Sequence, residues 1–400
     1  MSRAPIAILL GLLLVAAGSP AYAQAKPDEP KAEEKPKTLW GETTLFSYLE
    51  SSYVWNTAPT GRGNHNELRL YDFNNNFTFN VGEFSIKKDP SDRYPFGGGL
   101  VVTAGIDSQK NHALGIFRDS DDQFAFRNTD KFDLEEAYGS YKIPVGSGLT
   151  LKAGKFVTLL GYEVIESPNN LNFSRGFLFS FAIPLTHVGA LASYQITDWL
   201  AMTAGPVVGW DVAKDNNSRM SATGQFAFTP PIKDLAVNLN WITGPEQAGN
   251  DHKTRTVLDL TGTYTAIKSL TLGLNVDYGR ETDDASLAAS GTRKDTDARW
   301  WGWAGYAAYD WTEKLRTALR LEFFKDADGV RTAAIAPGTS VGLYDVTATL
   351  QYKIWKGLVG RFEYRHDDAD RKAFSIRTPG LVPTAKTQDT FMLALYYAFF

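Results

Sequence analysis

The chain contains no cysteine, so no disulfide framework holds its fold and no lipid-modified thiol anchors it. It also lacks an excess of either charge, with 45 acidic residues against 41 basic ones. Nucleic acid, which wants a basic face, is not a partner this composition suggests. Beyond the N-terminal segment no stretch reaches the ~18 consecutive apolar residues of a membrane-spanning helix. His65, His112, His252 and His366 are scattered and give no metal-ligand spacing. No G-x-S-x-G turn is present; His187 with Ser174 or Ser180 is the one pairing a barrel esterase could use. These gaps argue against an enzyme and a helical membrane protein. An exported chain of this kind is either soluble or a β-barrel.

What is abundant points to the barrel. Aromatics make up 13% of the residues and there are 35 glycines, yet the mean hydropathy is only -0.25. Strands that alternate in lipid give that combination. The N-terminus reads "MSRAPIAILLGLLLVAAGSPAYAQ": Arg3, an apolar run over Ile6 to Ala17, then Ala21-Tyr22-Ala23 before Gln24. These are the three parts of a cleaved secretory signal peptide, residues 1–23. Residues 24–40 open with the Pro-, Lys- and Glu-rich "QAKPDEPKAEEKPKT" and are expected to be a disordered periplasmic tether. Residues 41–400 remain for the barrel.

The apolar pattern in that part has period two. Leu235, Val237, Leu239 and Trp241 share one face, and Ala236, Asn238 and Asn240 the other. Leu270, Leu272, Leu274 and Val276 likewise oppose Thr271, Asn275 and Asp277, and Leu315, Leu319 and Leu321 oppose Arg316, Arg320 and Glu322. About sixteen such strands are expected: 43–56, 68–87, 97–107, 131–143, 148–160, 185–196, 198–210, 218–229, 234–243, 254–266, 268–280, 298–310, 313–325, 341–353, 356–366 and 389–400. Tight turns such as "PVGSG" and "PPIKD" alternate with long polar connections such as 108–130, 161–184, 281–297, 326–340 and 367–388. Short turns on one rim and long loops on the other are the grammar of an antiparallel transmembrane β-barrel of the outer membrane. Trp40, Trp199, Trp241, Trp300, Trp301, Trp303, Trp311, Trp355, Tyr396 and Tyr397 sit near strand ends, as aromatic girdles require. The final "FMLALYYAFF" suits a closing strand, with Met392, Tyr396 and Phe400 expected to face lipid.

One segment goes beyond this grammar. Within residues 131–217 stand Glu136-Ala137-Tyr138, "KAGKFVTLLGYE", "NFSRGFLF", "PLTHVG" and "GWD" followed by Asn216-Asn217, and "RLYDFNNNFTFN" precedes them. This resembles the beta-barrel porin-2 family, the OmpL-like porins of Gram-negative bacteria, over about 43–400. The resemblance implies an outer-membrane porin-like barrel and no particular substrate.

By parity Arg316, Arg320, Glu322, Arg361, Glu363, Arg365, Asp259, Asp277 and Lys152 should line the lumen. The arginines suggest a basic ladder facing acidic groups, which would sort solutes by charge. The bland alternative is wall solvation with ion pairs Arg320–Glu322 and Arg361–Glu363. Loop 161–184 is the third long loop, the one that folds inward in general porins. It carries the apolar "GFLFSFAIPL" and is expected to form a constriction edged by Glu163, Glu166 and Arg175. The competing reading is that 176–184 merely extends the sixth strand. Acidic runs at Asp119, Asp121 and Asp122, at Asp283 and Asp284, and at Asp367, Asp368 and Asp370 could meet lipopolysaccharide through divalent cations, or simply be solvated.

The function expected is passive diffusion of small hydrophilic solutes and ions through a water-filled lumen. It needs no cofactor, has outer-membrane lipid as its surroundings and is compatible with a homotrimer. A structural or adhesive barrel with a plugged lumen is the alternative. The leader assignment predicts that mature protein from the outer membrane begins at Gln24. Mass spectrometry of the purified chain checks this, and an intact Met1 would refute it.

Overall fold

The computed structural model describes residues 42–57, 68–71, 75–117, 130–290, 296–332, 337–377 and 382–399. The leader and tether lie outside the described residues, as do Trp40, His65, Asp119, Asp121, Asp122 and Phe400. In chain order the strands are β1 (Thr44–Asn56), β2 (Asn76–Lys88), β3 (Phe96–Ala104), β4 (Phe132–Ile143), β5 (Leu149–Val157) and β6 (Thr186–Thr197). Then follow β7 (Leu200–Val207), β8 (Ser221–Phe228), β9 (Leu235–Pro245), β10 (Thr254–Tyr264), β11 (Leu270–Glu281) and β12 (Ala298–Asp310). The last are β13 (Leu315–Asp326), β14 (Val341–Trp355), β15 (Leu358–Ala369), β16 (Phe374–Arg377), β17 (Val382–Ala385) and β18 (Thr387–Ala398). Strands β1 to β15 and β18 close into one antiparallel barrel of sixteen strands, each paired with its chain neighbour. β16 and β17 form a separate hairpin within the connection from β15 to β18. The seam pairs β1 with β18, from Tyr48 opposite Ala398 to Asn56 opposite Thr390. Closure satisfies every strand edge, which lipid could not do. No described helix is long and apolar enough to cross a membrane.

Strand number and order are those the alternation implied. The expected second strand is the main departure: β2 starts at Asn76, because residues 68–71 turn into the barrel interior. There Leu68 is buried, Arg69 pairs with Asp367 of β15, and the Tyr71 hydroxyl donates to Asn111 Oδ1 at 2.6 Å.

Register fixes the faces. Leu319 pairs with Ala307 and Leu321 with Gly305, and both leucines point outward, Leu321 with 42% of its surface exposed. Arg320 between them is fully buried inside. The last strand corrects the expected parity. Met392 sits opposite Glu363 and Tyr396 opposite Val359, so both face the lumen, where they are buried. Leu393, at 59% exposure, and Leu395 face outward instead. Both faces of this strand are apolar, so alternation alone could not choose between them. Trp300 is a second correction. It points inward and is fully buried, donating through its indole N–H to Ala182 O at 3.1 Å, while Trp301, Trp311 and Trp355 stay exposed.

The outward assignment predicts that Leu321→Arg destabilises the barrel by about 2–4 kcal/mol if its site lies near the bilayer midplane. Equilibrium unfolding from lipid vesicles measures this; a loss well below that range would place Leu321 away from the bilayer midplane.

Candidate functional site in the barrel lumen

The connection from β5 to β6, residues 158–185, enters the barrel and is fastened to its inner wall. Its start is held by β10 and β11: Gly161 N–H donates to Asp259 Oδ2 at 2.8 Å and Tyr162 N–H to Asn275 Oδ1 at 3.2 Å. Its middle is held by β15. Arg361 donates to the carbonyls of Ser167 and Asn170 at 3.0 and 2.8 Å, and Arg365 to that of Arg175 at 2.7 Å. Glu363 accepts the N–H groups of Phe173 and Ser174 at 2.6 and 2.9 Å. On β13, Arg320 donates to Ser174 O at 2.6 Å, and Glu322 accepts the N–H groups of Phe177 and Leu178 at 2.6 and 2.7 Å. A loop taken out of water needs partners for its backbone, and the wall supplies them as charge-assisted bonds.

The apolar part of the loop is buried as well. Residues Leu178–Ala182 form a π-helical turn, so this stretch does not extend the sixth strand. Phe177, Leu178, Phe181 and Ile183 pack with Trp300, Ala304, Phe324 and Leu343 of the wall. Gly176 permits the close approach, since a Cβ there would lie 2.6 Å from the Glu322 carboxylate oxygens. Outside the membrane-spanning strands, Arg331 of the β13–β14 connection braces the far end. It donates to Phe181 O at 2.8 Å and lies over the rings of Trp210 and Trp300. Burial first, and then the like charge of Arg255, push its pKa down to about 10, so it stays charged at neutral pH.

The arrangement brings together most of the expected lumen residues. Arg320 pairs with Glu163 of the loop at 2.7 Å and with Asp345 of β14 at 2.8 Å; Arg365 pairs with Asp345 and with Asp367 at 2.6 and 2.7 Å. Neither Arg320–Glu322 nor Arg361–Glu363 is an ion pair here, because each carboxylate is taken by loop N–H groups. Asp259 and Asp277 are opposite each other in the β10–β11 register, with the amides of Asn240 and Asn275 on Asp259 at 2.6 Å each. Arg175 braces the loop internally, donating to Val164 O at 3.0 Å, Phe173 O at 2.7 Å and Ile165 O, and its guanidinium lies over Tyr71. Glu166 is half-buried, just ahead of the short turn Ser167–Asn169. Two residues stand apart. Arg316 forms a two-pronged pair with Asp310 at 2.7 and 2.8 Å, and Lys152 lies 4.3 Å from the ring centre of Tyr138.

Asp345 was legible by parity, since it alternates with Thr347 and Thr349. Asp367, expected within the connection 367–388, is instead part of β15, which runs on to Ala369, and its side chain is buried in the lumen. Glu135 was hidden by a bulge. Val101 pairs with Glu136 and Val102 with Leu134, leaving Glu135 as the extra residue, so adjacent acids both turn inward. Of the outer acids, Asp284 caps the turn at Ser286 and Leu287, and Asp370 pairs with Lys325 at 2.7 Å. Among the described residues no group of three or more His, Asp or Glu could hold a metal ion. His187 contacts Gly209 O and Thr158 Oγ1, while Ser180 donates to Gly176 O and Ser174 Oγ lies against Arg320 and Arg365.

A closed sixteen-strand barrel with an inward third loop defines a porin-type outer-membrane protein. The family model described as "Putative beta-barrel porin-2, OmpL-like" matches residues 42–399, and the chain belongs to that family. It is an outer-membrane porin, a passive diffusion channel for small hydrophilic solutes. Among curated proteins none matches it. Similar solved structures include the outer membrane channel DcaP of Acinetobacter baumannii, at 10% identity and a TM-score of 0.58, covering 89% of this chain and 97% of that one. An anion-selective porin from Comamonas acidovorans is similar at 10% identity and a TM-score of 0.58, covering 89% and 99%. OmpT of Vibrio cholerae, in trimer form, is similar at 13% identity and a TM-score of 0.54, covering 89% and 99%. At these identities the likeness concerns the fold.

Replacing Glu363 by Ala orphans the buried N–H groups of Phe173 and Ser174, each costing about 1–3 kcal/mol. Limited proteolysis of the refolded barrel should then cut within 165–175, where the unaltered protein resists. Equal resistance would show that the latch does not depend on Glu363.

Proposed function

We propose that solutes cross beside the inward loop, which acts as the constriction of the channel. Glu163 and Arg175 hold the loop's shape, and Glu166 stands at its edge. Of the wall residues, Arg320, Glu322, Arg361, Glu363, Arg365 and Asp259 serve as the latch for the loop, with Asp277 beside Asp259. Arg316 and Lys152 face the water-filled remainder. The observation that carries this reading is the direct bonding of the loop backbone, from Gly161 to Leu178, to side chains of β10, β11, β13 and β15.

We further read residues 1–23 as a cleaved export signal and 24–40 as a periplasmic tether ahead of the barrel. We take the chain to act without catalysis, as the porin family it belongs to suggests; His187 is engaged by Gly209 O and Thr158 Oγ1. The solutes are small, hydrophilic molecules and ions. Assembly as a homotrimer in lipopolysaccharide-containing membrane is the state we expect, OmpT of Vibrio cholerae having been solved in trimer form.

Refolded protein in a planar bilayer should give a steady open conductance, and deleting residues 165–175 should raise it. A silent, folded barrel would overturn passage through the lumen. Unchanged conductance after the deletion would overturn the constriction.

A further inference from the structure

We propose that the lumen holds a binding site for organic cations of the alkylammonium or guanidinium class, between β2, β4 and Glu166 of the inward loop. The proposal rests on the porin reading and names a solute class for it. Four carboxylates come from the wall: Glu83 of β2, and Asp133, Glu135 and Glu136 of β4, all buried. Glu166 of the loop lies close enough to act by charge on Glu83 and Glu135 and is only partly exposed.

Glu135 is the centre of the argument. It is the extra residue of the β4 bulge, it is fully buried, and neither of its carboxylate oxygens has a hydrogen-bond donor. The charges that act on it most strongly are those of Glu166, Glu83, Glu136 and Asp133, all of its own sign. The cations nearby are committed elsewhere. Lys87 pairs with Glu136 at 2.5 Å. Lys155 donates to the backbone carbonyl of Glu135 at 3.0 Å, not to its carboxylate, and stays 3.8 Å from Asp133. Arg175 spends its N–H groups on loop carbonyls. Both Asp133 oxygens and Glu83 Oε2 also lack donors.

Buried carboxylates without donors are costly, and several together call for an outside partner that brings positive charge and N–H groups. A bare metal ion does not suit them, since no group of three or more described acidic or histidine side chains is arranged to hold one. An ammonium offers three N–H donors and a guanidinium five, and either bridges carboxylates that are farther apart. On the lumen side Glu166 is partly exposed and the Lys87 side chain is 34% exposed, so these are the members of the cluster that a solute meets first. The basic ladder does not repel such a guest, because Arg320 and Arg365 are buried under the loop and neutralised by Glu163, Asp345 and Asp367.

Spermidine is the probe. Added to a bilayer channel in KCl, it should reduce the current in a saturable way, and Glu135→Gln should weaken that block at least about tenfold, ~1.4 kcal/mol. Asp92→Asn, at an exposed turn on the short-turn rim, should leave it unchanged. Equal block of Glu135→Gln and unaltered protein, or block by calcium as strong as by spermidine, would overturn the proposal while leaving the porin intact. If the barrel conducts nothing, the pore reading fails. Calorimetric titration of spermidine into detergent-refolded protein then decides the site: binding lost in Glu135→Gln supports it, and no binding overturns it. Glu83→Gln serves the same tests should Glu135→Gln fail to refold.

Discussion

Every other feature of this protein depends on one constraint: lipid offers no hydrogen bonds to a backbone. A strand with an open edge cannot stay in that solvent, so the sheet must close, and here the seam between β1 and β18 closes it. Closure divides each strand into two solvents. The outward residues meet hydrocarbon and are apolar. The inward ones meet water or the inward loop and carry most of the strand charge, while outward charges such as Arg280, Arg299, Lys325 and Asp368 stand near strand ends. The alternation of Leu319, Arg320, Leu321 and Glu322 along β13 is this division written into four consecutive residues.

The same constraint, moved inward, governs the loop of residues 158–185. A chain segment folded into a lumen loses most of its water, so its N–H and C=O groups need replacements. The wall arginines answer the carbonyls and the wall glutamates answer the amides. Ion pairs of this kind add little stability on their own once desolvation is counted. Their value lies in position: Glu322 and Glu363 each take two successive N–H groups, which sets the loop's course to within a residue. The packing of Phe177, Leu178 and Phe181 on Trp300, Phe324 and Leu343 then supplies apolar burial. The inside of this barrel is thus partly a conventional core, and its arginine ladder is structural before it is electrostatic. The acidic residues of β2 and β4 are less fully compensated than this ladder, with Glu135 lacking any hydrogen-bond donor on its carboxylate.

Much of this could be read in the chain. Period-two runs, turn lengths and the absence of long apolar runs led to a closed barrel with the strands in chain order, and parity placed Arg320, Glu322, Arg361 and Glu363 inside. The misreadings have local causes. Met392 and Tyr396 were assigned to lipid because both faces of the last strand are apolar. Glu135 and Glu136 stand side by side, and only the bulge opposite Val101 and Val102 turns both inward. Asp367 looked like part of an acidic loop, but its burial against Arg365 and Arg69 follows from how far β15 continues.

The sequence by itself therefore determined the solvent on each side of the wall, because burial in lipid or water is a property of single side chains repeated at period two. Partnership was decided only by the tertiary structure. Arg320 meets Glu163, a residue 157 positions away, and Arg361 meets the carbonyl of Ser167, 194 positions away. Such contacts depend on the curvature of a closed sheet and on the path of one loop across it, and no local pattern encodes either.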